Sequence, residues 1–124
     1  PMQQPARGSG FFINEDGEIL TNAHVVDQAL AVWVQIPSMG KRLVEAIVVG
    51  VCPERDVALL RIADKEIPYV HESLGRISYL SLGDSDTAYR TDEVLALGYP
   101  LGQESLKSTI GVISGREQQW IQMD

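Results

Sequence analysis

The sequence predicts an all-β sandwich or barrel, and three observations carry that prediction. Short β-prone runs recur along all 124 residues, at 10–14, 18–21, 31–36, 43–51, 57–62, 77–82, 93–98, 108–114 and 119–122. Turn residues separate these runs at short intervals. No stretch shows a long amphipathic helical pattern. At this length one compact domain can bury a real core, and 44% hydrophobic with 22% charged residues is the balance of a globular chain.

Taken in order, the first two runs flank "EDGE" (15–18), whose Asp-Gly pair is the signal of a tight hairpin. Between the second and third runs, residues 23–28 form the one clear helical turn, with Asn22 as its cap. In "AVWVQI", Val32, Val34 and Ile36 share one face while Ala31, Trp33 and Gln35 share the other, the period of two expected of a strand. "PSMGKR" (37–42) and "SGRE" (114–117) supply the turns of two more hairpins, and "GDSDTAYRTDE" (83–93) reads as an acidic linker. No internal repeat or low-complexity segment interrupts the series.

The formal net charge of −7 argues against nucleic acid and against an anionic membrane surface. Neutral or basic partners fit better, a class that includes most unfolded polypeptide segments. Cys52 is the only cysteine, which excludes an intrachain disulfide and thiolate zinc sites of the CxxC type. No apolar run approaches the roughly 20 residues that a spanning helix needs. The opening "PMQQPARGSG" has no apolar core of a signal peptide, and Pro1 before Met2 reads as a cloning or processing junction. Localisation is therefore not legible.

Two histidines invite chemistry. His71, in "IPYVHESLGR", reads as a solvated loop residue beside Pro68 and Gly75. His24, in "LTNAHVV", stands where a strand ends and the chain turns. Taken alone, its surroundings fit a histidine filling the core better than a base. Asp56 closes a polar, Pro-started loop directly before the apolar run Val57, Ala58, Leu59, Leu60. A carboxylate there must be hydrogen-bonded or solvated. An ordinary loop aspartate bonding its own backbone meets that need, and so does a histidine Nδ1–H, which the bond would orient. The histidines and cysteine lie far apart without HxxxH or CxxC spacing, a weak basis for a metal site. No GxGxxG or GxxxxGK[ST] supports nucleotide binding, and no signal singles out a carboxylate pair.

A resemblance changes this balance. "GSGFFINEDGEILTNAHVV" resembles the opening of the HtrA/Deg proteases, a branch of the chymotrypsin-like serine proteases. "RDVALLRI" is similar to the family's D-x-A-L-L stretch, "LSLGDSD" to its L-G-D-S segment, and "VLALGYPLG" with "TIGVISGRE" to the opening of its second barrel. Val25 follows the histidine where digestive relatives carry a cysteine, as in the HtrA branch. Tyr99 replaces an asparagine common in periplasmic members, which leaves the compartment open between a bacterial envelope and a eukaryotic organelle.

The resemblance implies a chymotrypsin-like double β-barrel, with residues 1–7 an N-terminal extension, 8–87 the first barrel and 88–124 the opening strands of the second. It implies His24 as general base and Asp56 as its orienting carboxylate, in the order His then Asp of chymotrypsin-type triads. The family's nucleophile lies in a G-N-S-G-G loop, and none of the nine serines here has that context. The expectation is therefore part of an ATP-independent serine endopeptidase acting on unfolded or misfolded proteins. It would hold the catalytic His and Asp but not the Ser, and it would need no cofactor and no metal. A non-catalytic polypeptide-binding pseudoprotease or regulatory fragment is the alternative. Family members form trimer-based homo-oligomers, and the apolar strands of residues 90–124 suggest self-association or strand pairing.

Overall fold

The computed structural model describes residues 8–29, 32–87, 93–98, 107–116 and 121–123. The fold is built mainly of strands. Five form one antiparallel sheet: β1 (Gly10–Phe12), β2 (Glu18–Thr21), β3 (Val32–Gln35), β4 (Leu43–Cys52) and β5 (Val57–Ile62), in the order β1-β2-β5-β4-β3. Two short helices accompany them, α1 (Ala23–Val26) and α2 (Ile67–Leu74). A second, three-stranded antiparallel sheet runs β6 (Glu93–Gly98), β7 (Lys107–Arg116) and β8 (Ile121–Met123) in sequence order.

The alternation of apolar residues decides which face of the first sheet turns inward. Ala58, Leu60 and Ile62 of β5 are buried, while Leu59 between them is half-buried and Val57 and Arg61 are exposed. Ile19 lies opposite Leu60, and Ala46 opposite Ile62, so each strand adds its inward residues to one core. Val26 of α1, Val70 of α2 and Ile77 complete it. In β4 the alternation fails beyond Ala46, where an irregularity between Val48 and Gly50 leaves Ile47, Val48, Val49 and Val51 exposed.

The first hairpin forms where the Asp-Gly signal lies, but around a four-residue loop. Ile13 N–H bonds Glu18 O at 2.9 Å, and the Asn14 carboxamide oxygen accepts the amides of Asp16 and Glu18. Gly17 takes the left-handed backbone, φ 89°, that closes the loop. The β3–β4 connection turns at 37–42 as expected, with a 3-10 turn at Pro37–Met39.

Around the first sheet two expectations are corrected. Residues 77–82 are no strand. Ile77 is buried in the core and Leu80 N–H bonds Phe12 O at 2.9 Å, but β1 is only three residues long and makes no ladder with them. The second correction is α2, in a stretch that read as loop around Pro68 and Gly75. Pro68 sits in the first turn, where its missing N–H costs nothing, and Gly75 ends the helix at φ 71°. The buried Glu66 fastens α2 to the sheet. Its carboxylate accepts the Glu45 amide at 2.7 Å, while Arg42 bonds it at 3.4 Å and lies over the Tyr69 ring at 3.6 Å.

Further along, β7 continues through residues 114–116 of the expected turn, with an irregularity between Ile113 and Gly115, and residue 117 lies outside the described residues. Residues 83–93 include a 3-10 turn at Ser85–Thr87, in which Asp84 accepts the Asp86 amide at 2.9 Å. The side chains expected to drive self-association, among them Val94, Ile110 and Trp120, lie outside the described residues.

Candidate active site

The site follows from one feature of the register. β2 and β5 are antiparallel neighbours, with Thr21 opposite Ala58. The residues after Thr21 and those before Ala58 must therefore emerge at the same end of the sheet. On one side the chain enters α1, which packs Ala23 and Val26 inward and leaves His24 outward. The Thr21 hydroxyl donates to Ser9 O at 2.7 Å and ties this end of β2 to the lead-in of β1. Gly8 lies so close to α1 that a Cβ there would overlap the Val25 side chain.

On the other side, β4 ends at Cys52 opposite Val57, and a 3-10 turn at Pro53–Arg55 spans the gap. Asp56 closes that turn, its N–H bonded to Pro53 O at 3.1 Å and its backbone left-handed at φ 54°. Aspartate is among the few non-glycine residues enriched there. The conformation turns its carboxylate toward α1.

Both carboxylate oxygens of Asp56 are then taken by one residue. Oδ1 accepts the backbone N–H of His24 at 2.8 Å, and Oδ2 lies 2.7 Å from His24 Nδ1. The His24 amide holds the Asp56 carboxyl below its ordinary value of 3.8, the ring bond lowers it further, and slight desolvation opposes them. An ionised carboxylate only accepts hydrogen bonds, so Nδ1 carries a proton, and in the neutral ring Nε2 is the nitrogen with the lone pair. The His24 side chain is 70% exposed, which leaves that face of the ring open to a second partner. Asn22 adds a further link, donating Nδ2–H to Asp56 O at 3.2 Å.

The two residues singled out in the sequence are thus joined, 32 positions apart in the chain. The bland readings of each give way: His24 is no core filler, and Asp56 spends its carboxylate on His24. His71 takes no part. It lies on α2 instead of in a loop, exposed, with Nδ1 3.2 Å from Gly75 O. Asn22 holds the cap position but makes no cap bond; its link to Asp56 had no sequence signal. Among the described residues no three His, Cys, Asp or Glu side chains converge as a metal site would require, and no helix is long and apolar enough to cross a membrane.

The sequence model of the trypsin-like peptidase domain matches residues 8–124. The chain is similar to the probable periplasmic serine endoprotease DegP-like of Chlamydia trachomatis, 36% identical over 121 residues, covering 95% of this chain and 22% of that protein. It is also similar to the putative serine protease HhoB of Synechocystis, 34% identical over 114 residues, covering 92% of this chain and 24% of that protein. Among solved structures it resembles the HtrA-type protease AlgW with decapeptide, at 33% identity and a TM-score of 0.71, across 94% of this chain and 35% of that one. The chain therefore spans less than a quarter of the length of these two curated relatives.

Proposed function

Because the chain belongs to the trypsin-like peptidase domain family, in its HtrA/Deg branch, we propose that it supplies the proton-handling half of a serine endopeptidase site. The observation that carries the proposal is the His24–Asp56 pair, with Nδ1 bonded at 2.7 Å and the other edge of the ring open.

In the complete protein a serine in a G-N-S-G-G loop completes the site. His24 Nε2 accepts the serine proton as the serine Oγ attacks the peptide carbonyl. The resulting imidazolium, stabilised by Asp56, then returns that proton to the departing amine. Water repeats the sequence on the acyl-enzyme and releases the serine. Backbone amides of the same loop stabilise the oxyanion. No cofactor and no ATP enter these steps. The substrates are unfolded or misfolded polypeptides, and the acidic chain, at −7, suits neutral or basic segments of them.

The test is digestion of unfolded casein by the complete protein, with labelling by a serine-directed fluorophosphonate. His24→Ala should lower turnover by several orders of magnitude, on the order of 10⁶ at the extreme. His71→Ala should leave it unchanged. Retained binding of casein without any cleavage by the wild type would instead identify a holding protein.

A further inference from the structure

Asn22 stands at the N-cap of α1 with extended backbone, φ −82° and ψ 143°, yet its side chain makes no cap bond. The amide that a capping side chain would ordinarily satisfy belongs here to His24, and Asp56 Oδ1 takes it at 2.8 Å. Asn22 reaches the other way and donates to the Asp56 carbonyl at 3.2 Å. The cap of α1 is thus supplied from the β4–β5 loop, and the residue in the cap position holds that loop.

What it holds is a strained point. Asp56 adopts φ 54°, a region that costs an L residue free energy unless its surroundings fix it. Its N–H is fixed by Pro53 O at 3.1 Å. Its carbonyl, which sets the orientation of the peptide leading into Val57, is held by Asn22. Because Val57 is fixed in the sheet opposite Cys52, a turn of that carbonyl must be taken up at Asp56 itself, which shifts its carboxylate and weakens both bonds to His24 together.

We propose that Asn22 is a positioning residue for the His24–Asp56 pair, acting by hydrogen bonding to the Asp56 carbonyl instead of by capping α1. The positioning stands on geometry alone; its catalytic consequence rests on the protease reading.

Asn22→Ser separates the two roles. Serine caps helices as well as asparagine does, but its shorter side chain falls short of the Asp56 carbonyl. The measurement is hydrogen exchange at the His24 amide and ring N–H in the complete, ¹⁵N-histidine-labelled protein, with the signals identified by their loss in His24→Ala. Both Asn22→Ser and Asn22→Ala should speed exchange by roughly threefold to tenfold, the size of one lost hydrogen bond, at an unchanged melting temperature. Turnover of a peptide should fall by a similar factor in kcat with KM unchanged. Wild-type exchange in Asn22→Ser would overturn the proposal, since capping alone would then account for the residue. Faster exchange in a protein that cleaves nothing would sustain the positioning and sink the protease reading.

Discussion

Asp56 carries more of the site than any other residue, because one side chain satisfies two donors of His24 while its own backbone is held left-handed. Asp56→Asn keeps the shape and removes the charge. Its carboxamide can still accept the His24 amide, but its NH₂ group then faces Nδ1 and forces the ring into the wrong tautomer for accepting a serine proton. In the complete protein kcat should fall by about 10⁴ with little change in melting temperature, since the pair is exposed. The acid limit has a definite sign. The folded carboxyl lies below 3.8, so the bonds to His24 are in full force above that value. They are lost only as pH falls through the lower folded value. A carbon NMR titration of the Asp56 side-chain carboxyl should therefore show a midpoint below 3.8, and His24→Ala, which removes the ring bond, should raise it. Neither residue was identifiable alone: the sequence around His24 suits a core histidine, and Asp56 suits a self-bonding loop. Only the family's motifs named both as partners, and the register Thr21 against Ala58 supplies the physical reason they meet.

At the scale of the elements, α1 is only four residues long, too short to hold a conformation without neighbours. Its supports are Asp56 at its first turn, the buried Ala23 and Val26, and the chain passing over Val25 at Gly8. Gly8→Ala tests the last of these. Its Cβ would meet the stiff Val25 side chain at both methyls and at Cβ, so α1 or the lead-in of β1 must move. A loss of about 1–3 kcal/mol in denaturant unfolding is expected, and Val25→Ala in the same chain should recover part of it. The strands were the legible part of this fold, because β5 and β3 alternate cleanly. The helix α2 is also written in the sequence, as Ile67, Val70 and Leu74 at helical spacing between an early proline and a closing glycine, but a proline and a glycine also mark loops. Residues 77–82 misled in the other direction. Their β-branched and aromatic content resembles a strand, yet they find one backbone bond to β1 where a strand needs a ladder.

On the proposed reading, these 124 residues supply the means of moving a proton and not of attacking a carbonyl. A single five-stranded sheet brings His24 and Asp56 together at one end, and nothing in their geometry requires the second sheet. Such a pair can accept and return a proton, but neither member is a nucleophile for a peptide bond. None of the nine serines of the 124 residues stands in a G-N-S-G-G context, which in this family supplies both the attacking oxygen and the oxyanion donors. Loss of a nucleophile from a triad costs about as much as loss of the whole triad, on the order of 10⁶ in turnover, and what remains depends on the oxyanion donors. The polypeptide of these 124 residues, prepared by itself, should therefore leave casein intact and take no fluorophosphonate label, while its His24 amide still shows the protection that Asp56 confers. Extended through a G-N-S-G-G segment and the rest of a second barrel, the same residues should show both activities. Labelling of the 124-residue polypeptide at one of its own serines, located by mass spectrometry of the labelled peptide, would place the nucleophile within this chain and overturn the division of labour.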